Sequence, residues 1–181
     1  MEYKRTEKYN IDLVNEKIMG PNPLKLEEEM RDALKLVWKV FLEFEAPDYT
    51  EEGIKEFKKT IDDNEWIKAR NFYGAFDENN KVLGVIATKD TTHIALFFVD
   101  GEYHKQGIGR KLYEKVKLLN KDNYFTVNSS PYAHEVYKHL GFIDTDTKQC
   151  VNGLIFFPMK KNIKKRNERS IRFSMASIFR I

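Results

Sequence analysis

The sequence predicts a fold of the α/β (α+β) class, in which helices flank a sheet. Three observations support this prediction: two helical patterns stand early in the chain, a hairpin pattern follows them, and the order strand, loop, helix then occurs twice. The chain has 181 residues, of which 41% are hydrophobic, enough for one domain with a sizeable core. We therefore expect a single domain over residues 1–160 and a basic C-terminal tail over residues 161–181, for which disorder is one interpretation.

The bulk composition bears on location and partners. The net charge is only +3, so charge alone indicates no particular partner. Cys150 is the only cysteine and cannot form an intramolecular disulfide, which is typical of a protein in a reducing cytoplasm. The longest apolar runs, such as residues 95–99, are far too short to cross a bilayer. The sequence therefore predicts a cytoplasmic protein without a membrane partner.

The N-terminal region, residues 1–23, is the hardest to place. Residues 1–7 fit an edge strand, whereas apolar residues between positions 11 and 18 give a weak helical pattern. From Leu24 onwards the apolar side chains recur at steps of three and four, which predicts a helix that ends near Ala46. The predicted buried stripe of this helix comprises Leu26, Met30, Leu34, Val37, Val40 and Phe41.

A second helix, a hairpin and a central strand are predicted next. Thr50 is a suitable N-cap, and acidic residues follow it in the first turn of the second helix. Residues 71–76 and 81–88 alternate as strands do and flank a polar turn, which predicts a hairpin. Each strand contains a glycine, Gly74 or Gly84, where a backbone or ligand can approach closely. Residues 93–99 are apolar on both faces, as expected of a covered central strand.

The order strand, loop, helix then occurs twice. The apolar positions of the first helix are Ile108, Leu112, Val116 and Leu119. The second unit has a strand over 124–127 and a helix over 131–140, with Ser130 as N-cap and Gly141 as C-terminal stop. Short strands over 142–144 and 153–159 complete the predicted sheet, joined by a polar turn that contains Cys150.

The stretch HKQGIG, residues 104–109, joins the central strand to a helix. Such a junction directs backbone N–H groups to an anion at the positive end of the helix dipole, and the two glycines leave those groups accessible. Side-chain donors are available from His104, Lys105, Gln106 and Arg110. Neither common nucleotide motif fits, because no hydroxyl follows Gly109 as a Walker loop requires, and Leu112 stands where a dinucleotide fold needs a third glycine.

The loop resembles the signature of the GNAT superfamily of acyl-CoA-dependent N-acyltransferases, which reads Arg or Gln, two residues, Gly, one residue, then Gly or Ala. Residues 104–109 match it, with His104 at the first position instead of Arg or Gln. Residues 129–142, SSPYAHEVYKHLGF, resemble a second stretch of the superfamily and match at Ala133, Tyr137, Gly141 and Phe142. Ser130 stands where Asn is usual. By element order the resemblance covers residues 34–159.

The resemblance implies a GNAT-like mixed, mostly antiparallel twisted sheet whose central strand pair splays apart. It also implies acetyl-CoA as cosubstrate, with direct transfer of the acetyl group to an amine. Strand residues around Phe98 would pair with the pantetheine arm and polarise the thioester carbonyl, while the glycine loop would hold the pyrophosphate. The implied CoA-binding set is Phe97, Phe98, Val99, His104, Lys105, Gln106, Gly107, Ile108, Gly109, Arg110 and Ser130.

Tyr137 matches the tyrosine that acts as general acid towards the leaving thiolate in many members of the superfamily. A packing role is the alternative, because Tyr137 also belongs to an apolar helical stripe. No general base is predicted, since the strand over 124–128 contains no acid. Glu43, Glu45, His93 and a water relay are all open, and both glutamates also fit solvated helix acids.

Several functional alternatives remain at this level. No metal site is predicted, because His134 and His139 lack Cys or acidic partners at ligand spacing. A non-catalytic CoA-binding regulatory module is the main alternative to an enzyme, and nucleic-acid binding through the basic tail is the less favoured one. The sequence is compatible with a small-molecule amine or a peptide amine as acceptor, and with a homodimer as the oligomeric state.

Overall fold

The computed structural model describes residues 10–13 and 23–163 of the chain. The helices are α1 (Pro23–Val40), α2 (Glu51–Asp62), α3 (Asn64–Lys68), α4 (Ile108–Leu119) and α5 (His134–His139). The strands are β1 (Asn10–Leu13), β2 (Asn71–Phe76), β3 (Val82–Lys89), β4 (His93–Val99), β5 (Tyr124–Ser129), β6 (Ile143–Asp144), β7 (Gln149–Val151) and β8 (Leu154–Asn162). The strand expected over residues 1–7 and most of the basic tail lie outside the described residues.

The strands form one mixed, mostly antiparallel sheet. Across the described chain their order is β1-β2-β3-β4-β5-β8-β6, and β7 pairs with the first residues of β8. The β4–β5 pair is parallel, whereas the neighbouring pairs are antiparallel. The predicted hairpin is confirmed as β2 and β3, with Asn71 opposite Thr88. The predicted fold class is therefore confirmed.

The parallel strands β4 and β5 separate soon after they meet. Their pairing is limited to His93 with Thr126 and Ile94 with Val127. At the same point β4 is irregular on its other side, because Ile94 lies opposite Thr88 but Leu96 lies opposite Ala87, which leaves Ala95 as an extra residue. A bulge of this kind bends a strand and increases its twist. The bulge therefore accompanies the opening of a wedge-shaped gap between the far ends of β4 and β5.

The bulge also distributes β4 over two cores, one on each face of the sheet. Leu96 and Phe98 pack in the core beneath α1 and α2, which also contains Val37 and Ile61. Ile94 packs in the core beneath α4 and α5, and Phe97 contacts that core. Residues two apart in a regular strand share a face, so the extra residue at position 95 explains why Ile94 and Leu96 do not.

Several element boundaries differ from the sequence expectation. Residues 11–13 belong to β1 and not to a helix, because pairing with β2 outweighs the weak helical pattern. The short helix α3 was not predicted. Helix α1 ends in a π-helical turn, Phe41–Glu45, before Pro47 excludes further helix. Thr50 is confirmed as the N-cap of α2, where its side chain accepts a hydrogen bond from the Gly53 N–H.

The C-terminal third also differs in detail. Helix α5 begins at His134 and not at Pro131, and residues 131–133 form a turn before it. The Ser130 Oγ accepts from the Ala133 N–H at 3.2 Å, so Ser130 caps this turn and not the helix itself. Gly141 is confirmed as the stop: it has φ of 87°, and the Phe142 N–H donates to the Tyr137 carbonyl at 3.0 Å.

The last strands extend beyond their predicted bounds. Cys150 lies in strand β7 and not in a turn, and β8 continues to Asn162, whereas the predicted strand ends at residue 159. The turn between β7 and β8 consists of Asn152 and Gly153, whose φ values of 49° and 76° are those of a two-residue hairpin turn.

Candidate functional site

The gap between β4 and β5 exposes strand backbone. The Asp100 N–H donates to the Leu83 carbonyl on β3 at 3.0 Å. Because N–H groups alternate in direction along a strand, the Phe98 N–H also faces β3, whereas those of Phe97 and Val99 face the gap. The residues of β5 opposite them have already diverged. Of the three predicted edge residues, Phe97 and Val99 therefore offer backbone to a ligand in the gap.

The glycine loop ends at the mouth of this gap. Gly107 has φ of 85° and precedes the first residue of α4, and a Cβ at position 107 would have no heavy atom within 4 Å. The N-terminal N–H groups of α4 thus open onto uncrowded space. Lys105 also has positive φ, 60°. The Nε2 atom of His104 lies 2.9 Å from the Val99 carbonyl oxygen, so this ring nitrogen engages the protein backbone and not an approaching phosphate.

A cavity of about 440 Å³ runs from this loop into the gap. It contains most of the predicted CoA-binding residues and an aromatic rim, where the Phe44 ring lies 5.2 Å from the His104 ring and 5.3 Å from the Tyr132 ring. The lining is formed by Val40, Phe44, Glu45, Phe97, Phe98, Val99, Tyr103, His104, Lys105, Gly107, Ile108, Gly109, Arg110, Tyr132, Ala133, Val136 and Tyr137.

Two predicted CoA-binding residues are placed elsewhere. The Gln106 side chain donates to the Glu102 carbonyl at 3.2 Å and does not line this cavity. Ser130 is buried and lines a different cavity, described next. The glycine predicted to allow close approach on β3, Gly84, instead permits helix packing, because a Cβ there would lie 3.1 Å from both Ile108 and Leu112 of α4.

A second cavity, of about 400 Å³, reaches the gap from the side of α2 and β8. Its lining is formed by Glu45, Tyr49, Glu56, Phe57, Thr60, Trp66, Ile94, Ala95, Leu96, Phe97, Phe98, Val127, Asn128, Ser129, Ser130, Ala133, Tyr137, Val151, Asn152, Leu154, Ile155 and Phe156. Five residues line both cavities: Glu45, Phe97, Phe98, Ala133 and Tyr137. The two cavities therefore meet at the gap, with Glu45 and Tyr137 as the ionisable side chains common to both.

Glu45 is the carboxyl group at this meeting point. It is half-buried at the end of the π-helical turn, and the pKa of its carboxyl is raised to about 7, mainly because burial disfavours the charged form. A hydrogen bond with Ser130 opposes the rise in pKa, and the nearby Asp48 adds to it. A carboxyl with a pKa near 7 exchanges protons readily at neutral pH. Glu45 is also half-buried and lines both cavities, so it is not a fully solvated helix acid.

Tyr137 is close enough to Glu45 for the charge of that carboxylate to affect the pKa of the phenol. Its side chain is buried, and burial together with the negative charge of Glu45 raises the pKa of the phenol above its ordinary value. Its ring packs edge-on against Phe142 with centroids 5.2 Å apart. Tyr137 therefore belongs to the core, as its helical stripe predicts, and also lines both cavities in its protonated form.

The other sequence candidates for a base lie away from the meeting point. Glu43 is exposed and lines neither cavity. His93 is at the opposite end of β4, where its Nδ1 atom lies 2.9 Å from Thr126 Oγ1, and burial lowers the pKa of its imidazole. No group of three metal-ligating side chains occurs among residues 10–13 and 23–163. No helix in the same ranges could span a membrane.

The split parallel pair, the glycine loop at a helix N-terminus and the joined cavities define the class of mixed α/β folds that the sequence resembles, the GNAT-type acyltransferases. A family model described as an acetyltransferase (GNAT) domain matches residues 45–163. The chain therefore belongs to the GNAT acetyltransferase family.

Solved structures agree with this assignment at the level of the fold. A GCN5-related N-acetyltransferase from Rhodopseudomonas palustris is 16% identical with a TM-score of 0.64, covering 90% of this chain and 100% of that one. A GNAT-family acetyltransferase from Staphylococcus aureus is 16% identical with a TM-score of 0.59, covering 86% and 99%. An aminoglycoside 6'-N-acetyltransferase in complex with coenzyme A is 15% identical with a TM-score of 0.53, covering 87% and 99%. No curated protein sequence matches the chain significantly.

Proposed function

We propose that this protein is an N-acetyltransferase that moves an acetyl group from acetyl-CoA directly to an amine. The observation that carries the proposal is the meeting of two cavities at the gap, where Glu45 and Tyr137 face both. The first cavity contains the glycine loop and suits the CoA donor, and the second suits the amine. The similarly folded aminoglycoside acetyltransferase, which is bound to coenzyme A, supports this choice of donor.

The donor is held by backbone at both ends. The N–H groups of Phe97 and Val99 pair with the pantetheine arm and polarise the thioester carbonyl, which accumulates negative charge as the amine attacks. The N–H groups that open the helix at residues 107–109 bind the pyrophosphate, and the exposed side chains of Lys105 and Arg110 add positive charge at the same mouth. His104 shapes the loop through its contact with Val99.

Glu45 and Tyr137 carry out the proton transfers of the reaction. The Glu45 carboxylate takes a proton from the incoming ammonium and passes it to solvent, which leaves a nucleophilic amine. The amine nitrogen bonds to the thioester carbon, the carbon–sulfur bond breaks, and the Tyr137 phenol protonates the departing CoA sulfur. The second nitrogen proton then restores the phenol, so the products are the amide and CoA thiol.

The Tyr137→Phe variant tests the donor side of this mechanism. We expect kcat to fall by about 100-fold, the lower end for loss of a general acid, while the Kd for CoA measured by calorimetry changes less than about 2-fold. Tyr124→Phe is the matched control, since Tyr124 is half-buried on β5 and lines neither cavity. Normal turnover of Tyr137→Phe would restrict this residue to a packing role, and absence of CoA binding by the wild type would refute the proposed function.

The alternative of a non-catalytic CoA-binding module is based on the lack of an acid on β5 and on Ser130 in place of the usual Asn. Glu45 supplies an acid from another element, so the first of these two arguments no longer favours the module. Acetylation of any amine in a broad panel would exclude it. A cytoplasmic location, a homodimer and the single domain over residues 1–160 stay predictions.

A further inference from the structure

The second cavity has an uneven distribution of charge. Glu45 and Glu56 are its charged lining residues, and no lysine, arginine or histidine lines it within the described chain. Most of the remaining wall is apolar or aromatic, and the aromatic members are Tyr49, Phe57, Trp66, Phe97, Phe98, Tyr137 and Phe156. The wall therefore combines two carboxylates with broad aromatic surfaces.

The wall is held together by specific contacts of Tyr49 and of helix α2 with the β7–β8 hairpin. The Tyr49 hydroxyl donates to the Ile155 carbonyl at 2.9 Å, and the Asn152 side-chain amide donates to Glu56 at 3.5 Å. Gly53 and Gly153 bring the two backbones together so closely that a Cβ at position 53 would lie 2.3 Å from the Gly153 carbonyl oxygen. The cavity is thus a preformed feature of the fold.

Arg70, a cation that contacts the lining residue Trp66, is already engaged. The Arg70 guanidinium carbon lies 3.5 Å from the centroid of the Trp66 ring, and Arg70 donates to the Trp66 carbonyl at 2.7 Å. Arg70 is not part of the lining. A carboxylate carried by an acceptor would therefore lose its water beside two acidic side chains, Glu45 and Glu56, and would meet no opposite charge on the wall.

We propose that the second cavity selects a primary amine on an uncharged aromatic or aliphatic body, of the arylalkylamine kind, and excludes acceptors that carry a carboxylate beside the amine. This inference rests on the acetyltransferase function proposed above. The ammonium group is attracted to Glu45 at the gap, and the body of the acceptor packs against the aromatic wall. A cavity of about 400 Å³ accommodates such a molecule.

Matched pairs of acceptors test the inference directly. 2-Phenylethylamine and phenylalanine differ only in the carboxylate, as do tryptamine and tryptophan. With acetyl-CoA and the full chain, we expect kcat/KM to be at least about 100-fold higher for the amine of each pair, because the excluded member places an unpaired charge in the cavity. Equal kcat/KM values within each pair would overturn the inference, since a cation such as Arg70 would then have to bind the carboxylate.

A charge reversal provides the second test. In Glu56→Lys we expect the preference for 2-phenylethylamine over phenylalanine to fall at least about 10-fold, since a cation now lines the cavity. Glu52→Lys is the control on the same helix, because Glu52 is exposed and lies outside the lining. An unchanged preference in Glu56→Lys, with folding verified by thermal unfolding, would count against the inference.

CoA calorimetry separates failure of the inference from failure of the proposed function. CoA binding with acetylation of other amines, such as peptide lysines or aminoglycosides, and none of arylalkylamines overturns the inference and retains the enzyme. CoA binding without acetylation of any amine overturns both the inference and the catalytic proposal. Absence of CoA binding likewise overturns both.

Discussion

The substitution Gly53→Ala tests whether the close approach of α2 to the β7–β8 hairpin affects stability more than the helix propensity of residue 53 does. Gly53 is the third residue of α2, where alanine favours a helix over glycine by up to about 1 kcal/mol. The added Cβ would lie 2.3 Å from the Gly153 carbonyl oxygen and 2.7 Å from its carbon. Both atoms are backbone, so the hairpin must move by about 1 Å to restore van der Waals distance. Overpacking of this kind costs about 1–3 kcal/mol, so we expect a net destabilisation of about 1–2 kcal/mol.

The measurement is urea unfolding at constant m-value, supported by thermal unfolding, where this loss lowers Tm by roughly 2–8 °C for a chain of this size. Gly109→Ala is the matched control, because Gly109 is the second residue of α4 and its added Cβ would meet the Phe97 ring at an ordinary 3.4 Å. That variant should be neutral or stabilised by up to about 1 kcal/mol. A Gly53→Ala protein as stable as the wild type, or equal losses in both variants, would refute the close-approach argument.

Two further predictions concern charged groups. Lys39→Met removes the partner of Asp100, whose side chain is 5% exposed and lies 3.0 Å from Lys39 Nζ, so unfolding free energy should fall by about 1–2 kcal/mol. Adding Asp100→Asn should recover part of that loss in a urea double-mutant cycle, and additive losses would contradict the pairing. The second prediction concerns Glu45→Gln. In the wild type, burial holds the pKa of the Glu45 carboxyl near 7 in the folded state, against an ordinary value of 4.5, so the free energy of unfolding falls as pH rises through that interval. The Tm of the Glu45→Gln variant should therefore exceed that of the wild type at pH 8 and equal it near pH 4. The kcat/KM of the wild type should rise with pH through about pH 7, and that of the variant should not. An unchanged pH–rate profile in the variant would exclude Glu45 as the base.

The parts of the fold with strong local patterns could be predicted from the sequence. The hairpin of β2 and β3, the apolar strand β4 and the amphipathic helix α4 each carry a complete signal within a few residues. The β7–β8 hairpin also has such a signal, since Asn152-Gly153 is a preferred pair for a two-residue turn, but it was interpreted as a simple turn. Strand β1 could not be predicted, because its conformation depends on pairing with β2, which lies some 60 residues further along the chain.

The candidate site also contains residues that a local pattern predicts and residues whose position depends on distant parts of the chain. The glycine loop is a local feature of the sequence, and most of residues 104–110 line the first cavity together. Gln106 is the exception, because its side-chain amide donates to the Glu102 carbonyl. Ser130 was grouped with the CoA set by its place in a motif, yet its side chain lies in the second cavity and bonds to Glu45. A motif position specifies where the backbone runs, whereas the cavity a side chain enters depends on elements packed against it.

Glu45 shows why the meeting point of the two cavities is less predictable from the sequence than the glycine loop. In the sequence, Glu43 and Glu45 are equivalent acids near the end of one helix, and nothing local distinguishes them. They differ in the folded chain, where Glu43 is exposed, whereas Glu45, the last residue of the π-helical turn, is half-buried and forms a hydrogen bond with Ser130. A raised pKa is a consequence of that burial, so it cannot be read from a residue type or spacing. Glu45 belongs to the π-helical turn that follows α1 and lines both cavities, so a carboxyl group at their meeting point does not require an acid on β5.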